Sequence, residues 1–127
     1  MIKILVFGLP GSGKTTFARQ LSAGVAYFNA DDIRKMFNDW DFSEEGRTRQ
    51  AKRMACLSSL AEGHAVVDFI CPFDVDRDEY DIKIWMNTIK KGRFSDTNKM
   101  FEKPSKVDYE IKNYKYEKII NEIKNRL

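Results

Sequence analysis

The stretch "MIKILVFGLPGSGKTT", residues 1–16, decides the fold. Its first half is an apolar run of Ile, Leu, Val and Phe. Its second half meets the pattern G-x-x-x-x-G-K-[ST] with Gly8, Gly13, Lys14 and Thr15. The continuation "KTTFARQLSAG" has helical periodicity, so strand, glycine loop and helix start come in the order a phosphate-binding loop requires. Glycines let successive backbone N–H groups turn inward around a polyphosphate, and the helix N-terminus adds partial positive charge. This reading assigns ATP binding to Gly8, Leu9, Pro10, Gly11, Ser12, Gly13, Lys14, Thr15 and Thr16. Lys14 is expected to reach the β- and γ-phosphates, and the Thr15 hydroxyl to ligate Mg²⁺.

Outward from that loop, a chain of 127 residues can bury a core without disulfides or a structural metal, and residues 1–127 read as one domain. The net charge of +3 is mild and its basic residues are scattered among acidic ones, which suits anionic small molecules and does not call for nucleic acid. The most basic stretch is "KKGRFSDTNKMFEKPSK", read as a solvated loop or as an anion-facing lid. Cys56 and Cys71 lack C-x-x-C spacing, so neither a disulfide framework nor a zinc site is indicated. The first strand begins at residue 2, which leaves no room for a signal peptide, and no apolar run approaches a membrane span; a cytoplasmic protein is expected.

Five segments read as strands: 2–7, 25–30, 64–70, 81–87 and 106–112. The first and third are nearly continuously apolar, as central parallel strands are, whereas the fourth and fifth alternate and fit positions nearer an edge. Helical patterns cover 14–23, 31–38, 43–62 and 114–126. Ser43 before Glu44 and Glu45 makes an N-cap, and Gly63 a stop. In the last helix Tyr116, Ile119, Ile120 and Ile123 share one face. Alternating strands and helices predict an α/β three-layer sandwich, a parallel sheet of about five strands with helices on both faces. Ligands of such sheets bind at the carboxyl ends of the strands.

Residues just after each strand therefore carry the chemistry. In "NADDIR", Asp31 can hold Mg²⁺ or accept a proton from an attacking hydroxyl, or it can be the N-cap of the 31–38 helix. Arg34 faces the same cleft one turn on, and Arg47, Arg49 and Arg53 follow on the long helix as further oxyanion donors. Asp68, inside "AVVDFI", is either a buried hydrogen-bonded carboxylate or a metal-directed one. After "FICPFDVDRDEY" begins to turn, the acidic run with Arg77 reads as a loop and short helix. Cys71 has no histidine to activate it, and the one histidine, His64, falls at the opposite end of the sheet.

Read together, these stretches resemble the adenylylsulfate kinase family of P-loop kinases. The family's G-L-S-G-x-G-K-[ST]-T appears as "GLPGSGKTT". Its L-D-G-D-N-x-R appears as "FNADDIR", with Asp31 and Arg34 matching. Its G-F-S-x-x-D-R-x-x-N-[IV]-R-R appears as "DFSEEGRTRQAKR", keeping Phe42, Ser43, Arg47 and Arg53 and departing at Gly46 and Gln50. Its F-I-S-P-[FY]-x-x-D-R-[DE] appears as "FICPFDVDRDEY", with Cys71 for serine. Its F-T-G-x-x-x-P-Y-E-x-P appears as "FSDTNKMFEKP", keeping Phe94, Glu102 and Pro104 and placing Asp96 at a small-residue position.

The resemblance implies transfer of the ATP γ-phosphate to the 3′-hydroxyl of adenylylsulfate, with Mg²⁺ held through Thr15 and Asp31. It further implies Phe42 and Phe94 around the substrate adenine, and Arg34, Arg47 and Gln50 near its phosphosulfate. Lys14 and Asp31 are then the catalytic pair, the partners are small nucleotides, and a homodimer is compatible with the family. The lid, about 88–104, is shorter than the family's and retains Lys90, Lys91 and Arg93 as its cations. Two other functions stay open: a P-loop kinase acting on another hydroxyl, such as a polynucleotide 5′-end or a small metabolite, and a nucleotide-binding protein with little catalysis.

Overall fold

The computed structural model describes all 127 residues. Strands β1 (Lys3–Phe7), β2 (Ala26–Asn29), β3 (Ala65–Phe69), β4 (Ile82–Met86) and β5 (Tyr109–Ile111) form one sheet in the order β2-β3-β1-β4-β5. Every neighbouring pair is parallel, with Leu5 opposite Val67 and Val6 opposite Ile84 in the centre. Parallel strands need crossovers, and helices supply them: α1 (Lys14–Leu21), α2 (Ala30–Phe37), α3 (Glu44–Leu60), the 3₁₀ turn Asp74–Glu79, α4 (Ser95–Met100) and α5 (Glu117–Lys124).

Period-two alternation along β1 sorts the core into two layers. Ile4 and Val6 point to the face covered by α1 and α5, where Phe17, Leu21, Ile120 and Ile123 are buried against Val66 and Ile84. Leu5 and Phe7 point to the other face, where Ile33 of α2 and Met54 of α3 pack with Val67 and Phe69. Burial of each large side chain contributes about 1.5–3 kcal/mol. The expected apolar face of α5 is in place, and Tyr116 meets Phe17 edge-on with ring centroids 4.8 Å apart. With helices on both faces of one parallel sheet, the architecture is the expected α/β three-layer sandwich.

Local chemistry accounts for the element ends. Ser43 caps α3 by accepting the Gly46 N–H at 3.2 Å, with Glu44 and Glu45 in the first turn. Gly46 is required there, because a Cβ would lie 2.2 Å from the Asp41 carbonyl oxygen. The last helix starts at Glu117, later than the periodicity from residue 114 suggested. The Asn113 side chain accepts the Lys115 N–H at 2.9 Å and holds a turn first. Within the stretch expected as a solvated loop or an anion-facing lid, Ser95–Met100 form a short helix that no sequence pattern signals. His64 accepts the Ile2 N–H at 2.9 Å at the amino end of the sheet, far from the strand ends that form the cleft. No helix is long and apolar enough to cross a membrane.

Candidate active site

The glycine loop closes over the carboxyl end of β1. Gly8 admits no side chain, since a Cβ would stand 2.7 Å from the Met86 carbonyl oxygen of β4. Gly13 takes φ 91° just before α1, and a Cβ there would meet the Tyr114 ring at 3.1 Å. α1 consequently begins with its free N–H groups at the cleft. Pro10, Gly11, Lys14 and Thr15 line that cleft, which has a volume of about 280 Å³. Gly8 and Ser12 are buried beneath the loop, Leu9 turns toward a separate depression, and Thr16 is exposed one position further along α1. The Lys14 ammonium donates to the Leu9 carbonyl at 3.0 Å. Burial lowers its pKa from 10.5 to about 8, with Asp68 and Asp31 nearby opposing the shift.

The ends of β2 and β3 supply the polar wall. The Asn29 side chain, and not Asp31, caps α2: its Oδ1 accepts the N–H groups of Asp31 and Asp32 at 3.1 and 3.2 Å. This corrects the capping alternative for Asp31. β2 ends at Asn29, so Asp31 lies inside the first turn, exposed, with its carboxylate free of hydrogen bonds in the protein and bordering the cleft. Asp68 is the buried, hydrogen-bonded carboxylate expected inside an apolar strand. It is 2% exposed and hydrogen-bonded by Tyr27 and Asn29, and it also lines the cleft facing Lys14. Burial raises its pKa.

On the far side, Arg34, Phe42, Arg47 and Gln50 line the same cleft. Arg34 is fixed by donating to the Asp39 and Asp41 carbonyls at 3.0 and 3.1 Å, and its guanidinium lies 4.3 Å over the Phe42 ring. Arg47 donates to the Phe42 carbonyl and to the Thr97 hydroxyl, each at 2.7 Å. Gln50 donates to the Ala30 carbonyl at 3.1 Å and keeps its oxygen unpartnered. Phe42 and Phe94 both border a second depression of about 390 Å³ that shares Asp31, Arg47 and Arg93 with the main cleft. Arg49 and Arg53 do not join them. Both pair with Asp39, at 2.8 and 2.7 Å, outside the cleft. Of the lid cations only Arg93 lines the cleft; Lys90 borders a different depression, and Lys91 is exposed.

Cys71 is fully buried and takes φ 46°, and burial pushes its thiol pKa up, which fits the absence of a nucleophilic role. Sequence reasoning missed the part played by Arg77. It is 1% exposed, donates to the Cys71, Pro72 and Glu102 carbonyls, and stacks 4.4 Å over Phe7, so it ties the turn after β3 to the lid base. Asn98 was also missed. It exchanges two hydrogen bonds with the Gly92 backbone, at 2.8 and 2.9 Å, and closes the lid segment on itself. Arg77 matches the arginine of the D-R-[DE] motif, which marks its position without showing its partners, and Asn98 has no local signal beyond its polarity.

No cluster of three His, Cys, Asp or Glu gathers anywhere, so the chain builds no all-protein metal cage. Mg²⁺ carried by a polyphosphate needs only one or two protein oxygens. The Thr15 hydroxyl and the unpartnered Asp31 carboxylate on one cleft fit that requirement.

Among solved structures, the APS kinase CysC of Mycobacterium tuberculosis, in complex with AMPPNP and APS, superposes with a TM-score of 0.80 at 19% identity, covering 98% of this chain and 95% of that one. The shikimate kinase of Acinetobacter baumannii in complex with shikimate gives 0.66 at 17% identity, covering 97% and 90%. A gluconokinase from Sinorhizobium meliloti 1021 gives 0.61 at 15% identity, covering 97% and 87%. These likenesses show the P-loop kinase fold. No curated protein sequence matches. The adenylylsulphate kinase family matches residues 1–96, three-quarters of the chain including both walls of the cleft, and the protein belongs to that family of P-loop kinases.

Proposed function

We propose that residues 1–127 form one kinase unit that transfers the γ-phosphoryl group of ATP to the 3′-hydroxyl of adenylylsulfate, giving 3′-phosphoadenylylsulfate. On this reading the reaction serves sulfate assimilation in the cytoplasm. The observation that supports it is the two-sided cleft: Lys14 and Thr15 on one wall, Arg34, Phe42 and Arg47 on the other, and the free Asp31 carboxylate between them.

ATP phosphates entering the loop would draw the Lys14 ammonium from the Leu9 carbonyl and meet the N–H groups that open α1. The acceptor anion would take the buried guanidinium of Arg47 and that of Arg34, while Phe42 and Phe94 offer aromatic faces to its base. The acceptor oxygen would attack the γ-phosphorus in line as the bond to the ADP oxygen breaks, with Asp31 taking the hydroxyl proton. The magnesium ion that accompanies ATP, held by Thr15 and Asp31, would neutralise charge on the transferring group.

The test is an ADP-release assay with adenylylsulfate, adenosine monophosphate, oligonucleotide 5′-ends and sugars as acceptors. Adenylylsulfate should exceed the others by at least about tenfold in kcat/KM, or about 1.4 kcal/mol. Preference for another acceptor would reject it. One observation favours a less anionic acceptor as the second reading: the carboxylate of Asp96 already lies 3.9 Å from Arg47.

A further inference from the structure

The Asn29 side chain links the two walls of the cleft. Its Oδ1 caps α2, the helix that carries Asp31 and Arg34 on the acceptor side. Its Nδ2 donates to the Asp68 carboxylate at 3.1 Å and reaches the Thr15 hydroxyl oxygen at 3.4 Å on the phosphate side. The second oxygen of Asp68 is taken by the Tyr27 hydroxyl, so the carboxylate cannot rotate away without losing a partly buried hydrogen bond. Sheet register brings this about, since Asn29 of β2 sits directly opposite Asp68 of β3.

We propose that Asn29 is a positioning residue: its amide fixes the Thr15 hydroxyl relative to helix α2, with Asp68 and Tyr27 holding the amide in orientation. An amide N–H that donates to Thr15 Oγ1 occupies one of its two lone pairs. The other, and the hydroxyl proton, are left to the nucleotide side, where a metal-bound phosphate would need them. The 3.4 Å separation is at the long end for a hydrogen bond, as catalytic contacts often are before ligands enter. This inference rests on the ATP-binding reading of the loop but not on the identity of the acceptor.

Capping and amide donation can be separated by substitution. Serine caps helices about as well as asparagine but carries no amide to reach Thr15 or Asp68, whereas alanine does neither. Asn29→Ser, Asn29→Ala and the parent would be compared by melting temperature and by titration with AMPPNP, in excess Mg²⁺ and in EDTA. The parent should bind AMPPNP more tightly with Mg²⁺. Asn29→Ser should keep most of the melting temperature yet lose at least about fivefold of that Mg²⁺-dependent gain, with KM for ATP rising by a similar factor and kcat down about tenfold.

Asn29→Thr, another capping residue, serves if serine loosens the turn. The proposal is overturned if either capping variant keeps the full Mg²⁺-dependent gain. It is equally overturned if they weaken binding alike in Mg²⁺ and EDTA while melting as low as Asn29→Ala, which is the signature of a cap alone. A parent that binds AMPPNP but phosphorylates none of the acceptors tested would reject the adenylylsulfate reading and leave this binding comparison decisive.

Discussion

Arg47 of α3 and Asp96 in the first turn of α4 face each other at 3.9 Å across the acceptor side of the cleft. Arg47 is buried and held in place by Phe42 and Thr97, whereas the Asp96 side chain is 64% exposed. The carboxylate therefore adds little to the fold but occupies the field of the cation that would receive an anionic acceptor. Removing its charge as Asp96→Asn should lower KM for adenylylsulfate by about two- to fivefold and leave KM for ATP unchanged. An unchanged KM for adenylylsulfate would place the acceptor anion away from Arg47.

Asp31 tests the chemistry without confounding it with stability. Because Asn29 caps α2, Asp31→Asn removes no structural hydrogen bond and should melt with the parent. Loss of the base or metal partner should reduce kcat by about 10²–10⁴-fold. Retained turnover would shift the acid–base role to Asp68.

Lys14 gives a prediction with a sign that depends on pH. Its pKa falls from 10.5 in the unfolded chain to about 8 in the ligand-free fold, so between those values the unfolded state binds more protons. Stability from this group therefore rises with pH across that window, and the full penalty of a buried charge is present below about pH 8. Lys14→Met should raise the melting temperature at pH 7, with the gain shrinking toward pH 10, while abolishing phosphoryl transfer. Nucleotide phosphates favour the charged amine, so ATP binding near pH 8.5 should take up protons, and Lys14→Met should abolish that uptake. Calorimetry in two buffers of different ionisation enthalpy measures it, and equal apparent enthalpies for the parent would exclude a depressed Lys14.

The same residues show which parts of the design are written locally. Lys14, Thr15, Asp31, Arg34 and Arg47 are readable because each follows a strand end or lies in a helix whose start is signalled nearby, whereas Phe42 and Gln50 come only with the family resemblance; one cleft gathers all seven. What escaped depends on partners distant in sequence. Arg49 and Arg53 look like cleft donors until Asp39, in the preceding loop, claims both. α4 is six residues of ordinary propensity, held by Arg47 on Thr97 and by the Asn98–Gly92 clamp, neither of which leaves a periodic trace. The cap of α2 depended on where β2 ends, a matter of one residue of pairing with β3.

Phe94 is the sharpest probe of acceptor identity. Its ring is 52% exposed, borders the depression shared with Asp31 and Arg47, and touches the Arg93 guanidinium at 5.5 Å. The fold needs little from that ring: the helix after it is started by the Phe94 backbone carbonyl, which accepts the Asn98 N–H at 3.1 Å whatever the side chain. Phe94→Ala should accordingly leave the melting temperature near the parent's, where a core phenylalanine would cost about 3–5 kcal/mol. If an adenine stacks on the ring, KM for adenylylsulfate should rise about five- to hundredfold, the equivalent of 1–3 kcal/mol, with KM for ATP unchanged. Phe42→Ala is the less clean comparison, because Phe42 also supports the guanidinium of Arg34 at 4.3 Å, so anion and base binding should weaken together. An acceptor without an aromatic ring, tested on the same Phe94→Ala protein, should show no change in KM. Should adenylylsulfate behave like that control, the second depression does not hold its base, and acceptor binding must be sought along Arg34 and Arg47 alone.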